Sequence, residues 1–173
     1  MKKLISTTII IFFSFFYIVN AESNITFIDM DKIISTSKPG SSILKQLTLI
    51  NKKNFEYFKN EEKKIKNKET KIIKQKNIIS ETEFKKNIEE LKLEINDYNK
   101  KKTKIIDDFD KLKIDNTNYL LKKISSILKE FSTEKSISII LQKKNLVIGK
   151  TEFDITDDII KIVDKEIDEF KIK

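Results

Sequence analysis

The sequence predicts an α+β protein, mostly α, in which a long antiparallel helical hairpin stands on a small β body. Three observations carry that expectation. Two runs of apolar residues at seven-residue spacing lie back to back, a capping-box motif separates them, and short β-branched segments flank them.

The outgoing run is Phe58, Ile65, Ile72 and Ile79, and the return run is Phe84, Leu91, Tyr98, Ile105, Leu112 and Tyr119. Ile88, Ile95 and Phe109 add a companion series on the return, each four residues after a member of the first. Alternating steps of four and three keep one stripe of an α-helix facing a partner helix. Between the runs, Ser80-Glu81-Thr82-Glu83 offers a hydroxyl to a free N–H of a first helical turn. The reading is an arm over residues 44–119, two helices folded about residues 77–80. In the expected register Ile72 meets Leu91 and Phe58 meets Ile105. The companion positions on the outgoing helix are polar at Asn54, Glu61, Lys68 and Gln75, and Lys102 and Asn116 interrupt the return. Such a seam should bend easily and be only modestly stable.

The chain opens Met1-Lys2-Lys3, continues apolar over residues 4–19 and reaches Val19-Asn20-Ala21. Positive charge, an apolar run and small residues at the cleavage positions predict a secretory signal peptide over 1–21. The run is about 16 residues, short of the roughly 20 that a membrane-spanning helix needs. Removing 21 of the 173 residues takes two of the 35 basic residues with it, leaving a charge of +6 against 27 acids.

Composition excludes several function classes. Without Cys there is no disulfide staple, and without His the commonest general base and metal ligand are missing. Gly40 and Gly149 are the only glycines, too few for a phosphate-cradling loop, so ATP-driven work and nucleotide cofactors are not expected. Asp107-Asp108-Phe109-Asp110 and Asp157-Asp158 lie on predicted helices without the glycine that a calcium loop uses. No catalytic residue, cofactor or metal is expected.

The body comes from residues 22–43 and 120–173, which meet because the arm returns to its root. Asn24-Ile25-Thr26-Phe27-Ile28-Asp29 reads as a short strand. Met30-Asp31-Lys32-Ile33-Ile34 reads as one or two helical turns, ended by Pro39-Gly40, with Ser41 or Ser42 capping the outgoing helix. Leu44, Leu47 and Ile50 start its apolar face. After the return helix closes over residues 130–133, Ile137, Ile139 and Leu141 alternate along a second strand. A turn at Lys143-Lys144-Asn145 leads into a third, Leu146-Val147-Ile148, making a hairpin. Thr156 is placed as the N-cap of a last helix running to about Phe170, with Asp157 and Asp158 against its dipole. Three strands alone leave two open edges, which natural sheets avoid. Three copies supply nine, enough to close a small barrel, so trimerisation is expected through Ile25, Phe27, Ile137, Ile139, Leu141 and Val147.

Thr26-Phe27-Ile28-Asp29-Met30-Asp31-Lys32-Ile33-Ile34 followed by Pro39-Gly40 resembles the opening of the Skp (OmpH-like) periplasmic chaperones. Leu141-Gln142-Lys143-Lys144-Asn145-Leu146-Val147 and Phe153-Asp154-Ile155-Thr156-Asp157 resemble that family's closing segment. The resemblance implies a periplasmic homotrimer shaped like a jellyfish. It also implies that three helical tentacles enclose a cavity holding unfolded outer-membrane β-barrel proteins without ATP. The arm departs from the family in being poor in Ala and Gln and rich in Lys, Ile and Asn.

Residues 52–76 carry ten Lys against four Glu, and 151–173 carry eight acids against four Lys. Lys71, Lys74, Lys76, Lys85 and Lys86 cluster about the arm's tip, placed to meet acidic clients or an anionic lipid or lipopolysaccharide surface. Export makes nucleic acid an unsuitable partner. Phe55, Tyr57 and Phe58 cannot all enter the seam, so some aromatic surface should remain for client contact. The alternative is that Phe55 and Phe58, three residues apart, both pack and only Tyr57 is solvated. The expected function is a non-enzymatic holdase, and the competing class is an exported coiled-coil structural or adaptor protein of the envelope.

Overall fold

The computed structural model describes residues 24–172, and the expected signal peptide lies outside them. In order come strand β1 (Asn24–Ile28), helix α1 (Met30–Thr36), helix α2 (Lys38–Gln75), helix α3 (Glu81–Glu134) and strand β2 (Ile137–Gln142). Two 3-10 turns (Lys143–Asn145 and Thr151–Phe153) then lead to helix α4 (Thr156–Glu166).

The arm is α2 and α3 packed antiparallel. Ser80 caps α3 as expected, its Oγ accepting from the Glu83 N–H at 3.2 Å. Lys68 meets Glu94 and Glu62 meets Lys102 across the seam, within a residue or two of the expected register. At 1.5 Å per residue, α2 with 38 residues is about 57 Å long and α3 with 54 is about 81 Å. The extra turns of α3 form the spine of the body. Leu120, Ile124 and Ile127 there are buried against Ile33 of α1, Ile43 and Leu47 of α2, and Ile159 and Val163 of α4.

The start of α2 differs from expectation. Ser37 is the cap, its Oγ accepting from the Gly40 N–H at 3.4 Å, rather than Ser41 or Ser42. Pro39 sits in the first turn, where a missing N–H leaves no bond unmade. Gly40 lies within the helix and lets α1 back onto it: a Cβ there would stand 1.9 Å from the Ile34 carbonyl oxygen. Two seam assignments near the root also shift by one residue. Ile43 and Leu120 are buried where Leu44 and Tyr119 were expected. From Leu112 the buried face of α3 advances through Asn116, Leu120 and Ile124 in steps of four, which departs from the heptad.

The sheet has two strands, and they are parallel: Ile25 pairs with Ile139 and Phe27 with Leu141. Parallel strands need a long crossover, and here the whole arm serves as one. The expected third strand and its hairpin do not form. Lys143–Asn145 closes a single turn, the Leu146 N–H donating to the Lys143 carbonyl at 3.0 Å. The chain then crosses over the ring of Phe27 at Gly149, where a Cβ would lie 2.8 Å from that ring. It reaches the far edge of β1, where the Ile155 N–H donates to the Phe27 carbonyl at 3.1 Å. Leu146-Val147-Ile148 therefore has no strand partner among the described residues.

A register shift beside Asn24 and Ile25 also resets which residues of β2 face inward. Ile137 and Ile140 pack on the core, while Ile139 and Leu141 face outward. Ile137, Ile139 and Leu141 thus do not share one face. Thr156 is not the N-cap of α4. Its hydroxyl instead accepts from the Asp29 N–H at 2.8 Å, tying the end of β1 to the helix, while Asp154 takes the Thr156 N–H at 3.0 Å. α4 ends at Glu166, short of Phe170.

Candidate functional site

Two surfaces hold the predicted functional residues: the arm, and the outer face of the sheet. Along the arm, Ile72, Leu91 and Tyr98 are buried, and Phe58, Ile65, Ile79, Phe84 and Ile105 are half-buried. Asn54, Glu61, Lys68 and Gln75 occupy the seam half-buried, so its polar interruptions are real.

Midway along, the interruption becomes a small network. The Tyr98 hydroxyl donates to Glu62 Oε1 at 2.7 Å, and Lys102 Nζ donates to the same oxygen at 2.8 Å. Lys102 lies 5.3 Å from the centroid of the Phe58 ring and 5.6 Å from that of Tyr98. The Lys102 hydrogen bond, then that of Tyr98, holds Glu62 below the usual carboxylate range. The bond to Glu62 in turn raises Lys102, and burial followed by the Glu62 contact raises the Tyr98 phenol. The Lys102 stem lies against the two rings while its ammonium pairs with Glu62 and keeps contact with water, so the charge in this layer is paired and partly solvated.

Of the aromatic trio, Phe58 turns into the seam beneath Lys102, with Tyr57 set edge-on to it at 5.9 Å between centroids. Phe55 is 67% exposed, so the alternative in which Phe55 and Phe58 both pack does not hold. Its position is about one residue's rotation away from the Asn54–Phe58–Glu61 line, too far round the helix to reach α3. At the tip Lys71, Lys74, Lys76, Lys85 and Lys86 are all exposed. Lys85 pairs with Glu81 at 2.7 Å, and among the described residues the other four have no ion-pair partner. Beside them Ile73 and Ile78 stand in solvent, Ile78 at 79% exposure. Leu93, Ile106 and Ile114 are likewise exposed farther down α3. Sequence reading by the heptad counts Ile73 with Ile72 on the apolar face and passes over the other four, although the signal is present: each is apolar and off the seven-residue stripe.

On the body, Ile25, Ile139, Leu141, Val147, Ile148 and Phe153 are exposed together, while Phe27 and Ile137 are taken up within the chain. An open cleft of about 450 Å³ runs across this face between Thr26, Leu141, Leu146 and Phe153. The Thr26 hydroxyl is buried without a hydrogen-bond partner. Among the described residues there is no cluster of acids suited to a metal ion and no helix long and apolar enough to cross a membrane.

Comparison with curated proteins gives no match. A crystal structure described as a candidate outer membrane chaperone (OmpH-like) from Caulobacter crescentus CB15 superposes with a TM-score of 0.78. That likeness covers 88% of this chain and 90% of the other at 13% identity, so it speaks for a shared fold. Residues 24–163 match the family described as outer membrane protein (OmpH-like), a span that takes in β1, the whole arm, β2 and α4 as far as Val163. With both strands, the hairpin and the closing helix inside that match, the chain belongs to the OmpH-like family.

Proposed function

We propose that this protein is an ATP-independent holdase of the periplasm that keeps unfolded outer-membrane β-barrel proteins from aggregating. The observation that carries the reading is the surface of the arm. Phe55, Ile73, Ile78, Leu93, Ile106 and Ile114 are exposed singly among lysines and acids. Scattered weak apolar contacts on a charged scaffold suit a client with no fixed shape. Binding the unfolded state lowers the free concentration of aggregating chain by mass action, with no chemical step and no catalytic residue. Membership of the OmpH-like family, and the likeness in fold to the Caulobacter outer membrane chaperone, support the same role.

The reading includes a homotrimer. One chain leaves the outer edge of β2 unpaired and its neighbouring face apolar, which is a liability in a monomer. Three copies would bring three two-stranded units into one barrel, with Leu146-Val147-Ile148 of each lying along the next and a partner for the Thr26 hydroxyl. The body would comprise 22–43 and 120–173, and the three arms 44–119 would surround the client. The basic tips would meet acidic client segments or an anionic lipid or lipopolysaccharide surface.

The test is light scattering from an unfolded outer-membrane β-barrel protein diluted out of urea. Suppression near one trimer per client is expected. Undiminished scattering, together with self-association of isolated arms, would favour the structural or adaptor class instead.

A further inference from the structure

The family match stops at Val163, and the residues that follow do something specific. Asp164 Oδ1 accepts from the Lys38 N–H at 2.6 Å, placing a carboxylate at the positive end of the 38-residue helix α2. Beyond α4 the chain lies across the arm where it leaves the body. The Gln46 amide grips it from both sides: Nε2 donates to the Phe170 carbonyl at 2.9 Å, and Oε1 accepts from the Ile172 N–H at 3.2 Å. Phe170 then sets its ring edge-on to Tyr119 of α3, 5.1 Å between centroids. One short segment therefore holds both helices of the arm.

The level at which it does so is a polar one in the packing. Below it Leu47, Leu120 and Ile124 are buried in the core. At it, the buried seam residue of α3 is Asn116, whose Nδ2 donates back to the Leu112 carbonyl at 2.7 Å. Asp115, Asn116, Tyr119, Phe170 and Lys171 line a space of about 390 Å³ there, so packing between segment and arm is incomplete. A polar layer with a void beside it is where a two-helix arm bends with least loss of contact.

We infer that residues 167–172 form a detachable strap that sets the angle at which the arm leaves the body. Two main-chain hydrogen bonds to Gln46, one ring contact and the half-buried side chains of Ile167, Phe170 and Ile172 at the edge of the core keep it in place, an attachment that can open locally while the body stays folded. With the strap seated, the arm is held. With it released, the arm swings about the Asn116 level.

The experiment uses the full chain, which has no cysteine of its own. Lys63→Cys and Glu152→Cys carry two spin labels, one on the arm and one on the body, and labelled chain is diluted into unlabelled chain. Pulsed dipolar spectroscopy then reads their distance distribution. A chain ending at Glu166, and separately Gln46→Ala and Phe170→Ala, should give distributions that are broader and shifted in mean relative to the intact chain. Distributions unchanged in all three would overturn the strap. If the shortened chain loses its helical circular dichroism, the two single substitutions decide. Loss of the folded body on Gln46→Ala, which removes only a partly exposed amide, would also overturn it by making the segment part of the core.

Discussion

Glu62 and Lys102 bind one another across the arm, carboxylate oxygen to ammonium at 2.8 Å, with Tyr98 donating to the same oxygen. The pair gives the arm a pH dependence with two limbs. Glu62 titrates below the usual carboxylate range when folded, so its contribution is complete above that range and is lost as pH falls through it. Lys102 titrates above the usual lysine value, so its contribution holds below that value and is lost as pH rises past it. Helix melting followed at 222 nm should therefore peak between about pH 5 and pH 10. Both groups are solvent-exposed, so the effect is small and shrinks in salt. Glu62→Gln should flatten the acid limb; an acid limb that persists unchanged would assign it to other carboxylates.

Leu120 is fully buried where α3 enters the body. Leu120→Ala should cost about 2–5 kcal/mol, through lost burial and the cavity left behind. Urea unfolding at fixed protein concentration measures it. A cost within experimental error would place the core elsewhere.

Two backbone positions should respond in opposite directions. Gly40→Ala puts a methyl group 1.9 Å from the Ile34 carbonyl oxygen, so α1 must move, at a cost of about 1–3 kcal/mol. Ser136 follows the end of α3 with φ of 53°, in the left-handed region. Ser136→Gly should stabilise the protein by about 1 kcal/mol by relieving that conformation. Thermal melting of the two variants should move in opposite senses.

Ile139 lies on the outward face of β2, at 48% exposure. Within one chain Ile139→Asp should cost little, whereas in a trimer it buries a charge in the barrel. Sedimentation should fall to the monomer value while the circular dichroism stays helical. An unchanged sedimentation coefficient would reject the barrel.

The tip lysines should read out as charge alone. Replacing Lys71, Lys74, Lys76, Lys85 and Lys86 with Gln is expected to weaken binding to anionic vesicles, most clearly at low salt. Equal affinity before and after would make the tip a solvated face.

The arm was legible because its signals are local. Seven-residue spacing gives the seam, Ser80 its cap, and Lys68, Lys102 and Asn116 its polar breaks. The body was less so, because long-range contacts decide it. Gly40 reads as a helix breaker until Ile34 is seen lying against it. Leu146-Val147-Ile148 has strand composition, but the crossing over Phe27 carries it away from β2. Thr156 has the composition of a cap and spends its hydroxyl on Asp29 instead. Tyr119 falls out of the buried face because the heptad relaxes to steps of four, a change that only the packing of α4 and α1 explains. Among the site residues, lysines at the tip follow from composition, while the exposure of Phe55 required knowing which way α2 faces.

The parallel pairing of β1 with β2 also dictates the order in which the chain can fold. Asn24 and Ile25 wait for Ile137 and Ile139, more than a hundred residues later, so no contact in the sheet is local. The arm's contacts, by comparison, close progressively from the turn at Ser80. A chain emerging from its N-terminus can zip the hairpin while β1 still has no partner, and the body is the last part to form. During that interval β1 is an exposed edge, the same hazard that this protein is proposed to shield in its clients.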